Sequence, residues 1–340
     1  MLISIIIPAY NMENYLNRTL NSIYCQKSDD IEVVVVNDGS TDNTLSVLEE
    51  YRQKHEDFNL KIINKQNGGL ADARNVGLKN AVGKYFINLD ADDYLIDGII
   101  SKLKKKISAC EFDVCFYGFN DVYEFPNKIK SYDSTFKYIS QPSTGLEVAV
   151  KKLSREIWIC QGSACYKKAI VEQRQIYNIP GLNQGEDFHF IMKFLLCSKS
   201  VVCIDSCGVN IECRADSMMH SSFNPTFLQI FSAFDLLFDF IKRSELSDEH
   251  LISLLENEFE ITRLSLAKKM SRAYPFYSIR KCIKKYKSLP PKRTVHKDKM
   301  NKIKKIESFL FNHCVIMYFY SVKFWDWLLK LSIPYKSKKM

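Results

Sequence analysis

Two acidic pairs carry the strongest suggestion of chemistry in this 340-residue chain. Asp90-Ala91-Asp92, followed by Asp93, sets carboxylates two positions apart in what reads as an irregular turn. Carboxylates so spaced can face one hard cation, and Mg²⁺ commonly takes one or two of them together with substrate phosphates. Such a cation would neutralise a departing diphosphate. The same acids could instead cap a helix beginning near Leu95, because Asp favours caps. The second pair, Glu186-Asp187, opens a stretch with Phe188, Ile191, Met192 and Leu195 at helical spacing. One of its carboxylates could serve as a general base, or both could merely favour the positive end of the helix dipole.

Weaker signals stand around these pairs. Asp38, at the tip of a β-branched run, could accept a hydrogen bond from a base or ribose, or make an Asx-turn into the next helix with Ser40 or Asp42 as its cap. Gly68-Gly69 precedes a helical stretch and offers backbone N–H groups to an anion. Arg74, one turn further, could grip a phosphate with both arms of its guanidinium, or pair with Asp72 or Asp90. His189 and His220 stand alone and fit core or surface roles better than metal ligation.

The elements that must position these residues alternate. LISIIIPAY (2–10) reads as a buried strand ended by Pro8, and IEVVVV (31–36), LKIIN (60–64) and KYFINLD (84–90) as three more. Helices are expected over 13–26, 44–55 and 70–81. Continuous apolar strands separated by helices predict a parallel sheet covered on both faces. Ligands of such sheets bind beyond the carboxyl ends of the strands. Ala9-Tyr10-Asn11, Asn37-Asp38, the Gly68-Gly69 stretch and Asp90–Asp93 all follow strands, so the reading places them on one rim.

Composition bounds the rest. Gly and Pro total 12 and 9, which excludes collagen-like and low-complexity chains. The 11 cysteines include no CxxC pair, so zinc ribbons and thioredoxin-type redox centres are disfavoured and a reducing cytoplasm is expected. Neither a signal peptide nor an apolar run of ~20 residues is expected. Residues 271–340 hold 18 Lys/Arg against 3 Asp/Glu, a net of +15, while the whole chain carries +9, so an acidic body bears a basic tail. Residues 280–305 carry 12 of those bases, Pro290-Pro291 interrupts them, and an aromatic run with Trp325 and Trp327 follows. Peripheral contact with an anionic membrane through 280–340 is the favoured reading of that tail. A lysine-faced helical subdomain is the alternative, and nucleic acid is not expected as a partner.

Taken in order, PAYN (8–11), VVVNDGSTD (34–42), NGGLADARNVG (67–77), LDADDYL (89–95), GEDFHF (185–190) and, more loosely, CRADSMMH (213–220) resemble the family 2 glycosyltransferases. The resemblance covers roughly 1–220 and implies a GT-A fold: Rossmann-like α/β with a mostly parallel central sheet flanked by helices. It implies that Pro8, Ala9, Tyr10 and Asp38 hold the nucleotide, and that Asp72 and Arg74 face the diphosphate and donor sugar. Asp90 and Asp92 would form a DxD pair for Mn²⁺ or Mg²⁺, with Asp92 the more direct ligand. Asp187 would be the base, Glu186 would engage the acceptor, and Arg214 would touch the diphosphate. Cys213 stands where the family often has an aromatic residue.

The expected protein is therefore an inverting, metal-dependent glycosyltransferase that moves a sugar from a nucleotide sugar, a UDP-sugar by preference, to a cell-surface glycan or lipid-linked acceptor at the cytoplasmic face of the membrane. The expected organisation is a nucleotide half (1–100), an acceptor half (101–220) and a helical, basic and aromatic extension (221–340). The 224–270 helices are read as packing on the body rather than forming an interface. A non-catalytic nucleotide-sugar-binding scaffold is the alternative. A sugar nucleotidyltransferase is disfavoured because PAYNMEN carries no basic glycine-rich loop, and a Rossmann dehydrogenase because GxGxxG is missing after the first strand.

Overall fold

The computed structural model describes residues 1–123, 128–214, 223–244, 246, 248–273, 302–313 and 317–324. Most of the basic run, with Pro290-Pro291, and His220, Trp325 and Trp327 lie outside the described residues.

The amino-terminal part alternates as its hydrophobic pattern dictates: β1 (Ile3–Ala9), α1 (Leu16–Tyr24), β2 (Ile31–Asp38), α2 (Thr44–Lys54), β3 (Leu60–Lys65), α3 (Leu70–Asn80) and β4 (Tyr85–Asn88). These four strands are mutually parallel in the order β3-β2-β1-β4. Every residue of β1 and β2 is buried, because helices cover both faces and no side of these strands meets water. Ile3, Ile5 and Ile7 join the cluster formed with α1 and α2, whereas Ile6 points to the opposite cluster, as the period of two requires.

Pro8 does not end β1. The strand runs through it to Ala9, still paired to β2. Ile6 presents its carbonyl to the Leu89 N–H on the β4 side, so Pro8, two residues on, turns its nitrogen the same way. The β4 pairing has stopped at Asn88 by then, and the missing donor costs no ladder bond. At the other end of the strands the buried Glu32 carboxylate accepts from Ser4 Oγ and from the backbone N–H of Val82 (2.6 Å) and Gly83 (3.2 Å), which pins the α3–β4 connection.

Beyond β4 the sheet becomes mixed. After β5 (Tyr94–Leu95) and α4 (Ile99–Ala109) come β6 (Val114–Tyr123), β7 (Lys128–Ser131), α5 (Gly145–Leu153), β8 (Ala164–Lys167), α6 (Lys168–Arg174), α7 (Glu186–Cys197) and β9 (Val201–Cys213). The order continues β4-β8-β6-β9-β5, with β8 antiparallel to both neighbours, β6 parallel to β9, and β7 paired to β6.

Then follow α8 (Ile230–Arg243), α9 (Glu249–Ala273) and α10 (Lys302–His313), with a further helical stretch over 317–324. Phe231, Phe234, Leu237, Leu251, Leu255 and Phe259 enter the same apolar cluster as α5 and α7, so α8 and α9 pack on the body. Among the described residues no helix is long and apolar enough to cross a membrane.

Candidate active site

The rim predicted from the strand ends exists, and its parts are tied to one another. Asp38 closes β2 and is buried. Its two carboxylate oxygens accept the N–H groups of Gly68 (2.9 Å) and Gly69 (2.8 Å), and Lys65 Nζ stands 2.6 Å away. The glycine pair therefore does not offer these N–H groups to an incoming anion; an internal carboxylate already fills that seat. Gly69 takes φ +87° as it enters α3, a region that L side chains avoid. Lys65 also reaches Asp72 at 2.7 Å. Burial opposes its charge, but the two carboxylates outweigh that and raise its pKa.

Sequence reasoning missed Lys65, although its place at the end of β3 was a usable signal. On the first loop Ala9 is buried and Tyr10 exposed. Asn11, at φ 55°, accepts the Thr41 N–H at 2.8 Å and so joins the β1 and β2 loops.

Arg74 is 2% exposed on α3. It donates to Asp90 Oδ1 at 2.7 Å and to Glu186 Oε1 at 3.3 Å, while its Nε has no partner among the described residues. Of the alternatives open in the sequence, Asp90 is thus the partner and Asp72 is not. Burial disfavours the guanidinium charge, yet Asp90, Glu186 and Asp187 together raise its pKa. Burial also raises the pKa of Glu186, helped by Asp187 and opposed by Arg74. Asp187 is exposed and accepts its neighbour Phe188's N–H at 2.6 Å.

The Asp90–Asp93 turn is held from behind by α1. Thr19 Oγ1 lies 2.8 Å from the Ala91 carbonyl and 2.7 Å from that of Asp93, and Arg18 donates to the Asp92 carbonyl at 2.9 Å. Arg214, just past β9, pairs with Asp92 at 3.0 Å and lies over the Tyr15 ring at 4.6 Å. Asp93 accepts the Glu212 N–H at 3.0 Å and is buried, which lifts its pKa well above the usual range with help from Asp90 and Asp92. Asp93 thereby anchors β9 to the turn.

Burial and the Asp90 charge also raise Asp92. A divalent cation relieves that kind of repulsion, and the donors are hard oxygens, so Asp90 and Asp92 fit Mg²⁺ or Mn²⁺. Among the described residues no three His, Cys, Asp or Glu side chains converge, which leaves the remaining positions of such an ion to phosphate and water.

His189 is buried and belongs to the α7 core face. Pro8 lies within β1 rather than beyond it. Thr19 and Arg18 left no trace in the sequence, since nothing marks a helical Thr or Arg as facing a turn more than 70 residues away.

A parallel half-sheet with its acids gathered on the carboxyl rim, completed by a mixed second half, is the GT-A glycosyltransferase fold. The solved structure of S. aureus TarS 1-349 in complex with UDP-GlcNAc matches with a TM-score of 0.64 at 25% identity, covering 84% of this chain and 89% of that one. The mannosyltransferase PcManGT from Pyrobaculum calidifontis, solved with GDP-Man and Mn²⁺, shares the fold at 15% identity and TM-score 0.55, covering 94% of this chain and 85% of that one.

The sequence model for glycosyl transferase family 2 matches residues 4–173, and the chain belongs to that family. Among curated relatives, the poly(ribitol-phosphate) β-N-acetylglucosaminyltransferase TarS of Staphylococcus aureus (strain Mu50) is 34% identical over 200 residues, 58% of this chain and 33% of that protein. The glycosyltransferase GlyA of Streptococcus pneumoniae is 40% identical over 122 residues, 35% of this chain and 17% of that protein. The match spans about a third or less of these relatives' length.

Proposed function

We propose that the protein is an inverting glycosyltransferase that moves a sugar from a nucleotide sugar, preferentially a UDP-sugar, onto a hydroxyl of a cell-envelope glycan or lipid-linked acceptor. The observation that carries this reading is the reach of Arg74, which joins Asp90 to Glu186 and so sets the acidic turn beside the first turn of α7. Donor and acceptor chemistry can meet there. The likeness to a TarS structure holding UDP-GlcNAc supports a uridine donor.

Each residue then has a task. Tyr10, exposed on the rim, offers a face to the nucleobase, and Asp38 with its glycine pair shapes the ribose side. Asp90 and Asp92 would hold Mg²⁺ or Mn²⁺, which, when bound, stabilises the charge of the leaving diphosphate. Arg214 is placed to exchange Asp92 for a diphosphate oxygen. Glu186 would engage the acceptor. Asp187 takes the acceptor proton as the hydroxyl oxygen bonds to the anomeric carbon and the bond to the diphosphate breaks. One displacement inverts the anomeric centre. We place the enzyme at the cytoplasmic membrane face, held there by the basic and aromatic segment 280–340, with residues 1–100 serving the nucleotide and 101–220 the acceptor.

Calorimetry with UDP in Mn²⁺, in Mg²⁺ and in EDTA, on the wild type, Asp92→Ala and Asp187→Asn, tests the reading. Metal-dependent UDP binding that is lost in Asp92→Ala but kept in Asp187→Asn is expected, with donor turnover in Asp187→Asn falling on the order of a hundredfold or more. No nucleotide binding under any condition would overturn the transferase reading and the nucleotide-sugar-binding scaffold alike.

A further inference from the structure

Near the end of α5, Lys152 is 4% exposed, its ammonium 3.8 Å from the centre of the Trp158 ring. Among the described residues its ammonium makes no ion pair and no hydrogen bond, while its carbonyl accepts the Arg155 N–H at 3.1 Å. The other cations of the site are all engaged: Lys65 with Asp38 and Asp72, Arg74 with Asp90 and Glu186, and Arg214 with Asp92. An ammonium withdrawn from water without an anion is costly, and a single aromatic face returns only part of that cost.

The helix that carries Lys152 packs on α7, which opens with Glu186 and Asp187. α5 lies so close on α7 that a Cβ at Gly145 would run into the Leu195 carbonyl. Two carboxylates of the chain act on Lys152 without pairing with it, Asp187 at the start of α7 and Glu258 on α9. Gln161 accepts from Asn88 at 3.1 Å, two residues before Asp90. Lys152 therefore lies on the helix that packs against α7, over the Trp158 ring and near enough to Asp187 to feel its charge. Burial pulls its pKa down to about 8 against the opposing charges of Asp187 and Glu258.

We propose that Lys152 is the counter-ion for a carboxylate on the transferred sugar, making the donor a nucleotide-linked hexuronate. The assignment rests on the transferase reading above and narrows its donor. A neutral hexose would leave the ammonium unpaired, whereas a C5 carboxylate would complete a desolvated, charge-assisted pair.

The test compares UDP-glucuronate, UDP-glucose and UDP by calorimetry with Mn²⁺, on the wild type, Lys152→Met and Lys152→Arg. Wild-type protein is expected to bind UDP-glucuronate about tenfold to a hundredfold more tightly than UDP-glucose. Lys152→Met should erase the preference, Lys152→Arg should keep most of it, and UDP alone should bind all three alike. Equal affinity for the two sugars in the wild type overturns the assignment without recourse to any variant, as does a preference that survives in Lys152→Met. UDP binding without sugar discrimination refutes the lysine assignment alone, while failure of UDP itself to bind refutes the transferase reading and this one with it.

Discussion

Arg74 meets Asp90 across 2.7 Å, from a position that is itself almost wholly out of solvent. The same guanidinium reaches Glu186, so one side chain of α3 couples the turn after β4 to the start of α7. Removing it would leave two carboxylates facing each other beside Asp187. Arg74→Ala is expected to cost roughly 3 kcal/mol in chemical denaturation, because a partly buried acid loses its counter-charge. Arg74→Lys should recover only part of that, since an ammonium lacks the planar fork that spans both acids. Equal stability of wild type and Arg74→Ala would show that the two acids do not depend on the guanidinium.

Asp38 predicts a local signature. Its carboxylate holds the Gly68 and Gly69 N–H groups, so Asp38→Asn places an amide where only acceptors are satisfied and weakens the Lys65 bridge. Amide exchange at Gly68 and Gly69 should speed up on the order of tenfold, with a matching loss in UDP affinity. Unchanged exchange at both glycines would mean that the loop stands without Asp38.

The close approach of α5 and α7 sets both Lys152 and Asp187. Gly145→Ala would force its methyl group against the Leu195 carbonyl, which is backbone and cannot swing aside. A loss of about 1–3 kcal/mol or more is expected from denaturant titration, together with weaker donor-sugar discrimination. A fully stable Gly145→Ala protein would show that the two helices can separate freely.

His189 gives the fold a pH dependence. Burial, with Lys193 adding to it, pulls its pKa from 6.5 to about 4, so the folded protein prefers the neutral ring. As pH falls from 6.5 towards 4 the unfolded chain takes up the proton first, and stability present above that window is progressively lost. The slope from this one group approaches about 1.4 kcal/mol per pH unit inside the window. His189→Gln should flatten the wild-type loss of stability over that range, and parallel curves for the two proteins would assign the loss to other groups.

The sequence alone determined the first four strands, the helices between them, and the shared rim on which Asp38, the glycine pair and Asp90 lie. Hydrophobic periodicity is a local property, and parallel strands joined by helices have few ways to pack. The ordered motifs were enough to name the family. Tertiary structure decided which rim groups are already committed to one another. Gly68 and Gly69 hold Asp38 rather than an outside anion, and Arg74 chose Asp90 and Glu186 over Asp72.

It also decided that β1 continues through Pro8, and that Thr19 and Arg18 brace the acidic turn. Lys152 was invisible beforehand, because a lysine near the end of an amphipathic helix usually points to water. Only the packing of α5 on α7 and the position of Trp158 turn it inward. Pairing between charges distant in sequence depends on where whole elements dock, and no local pattern encodes that.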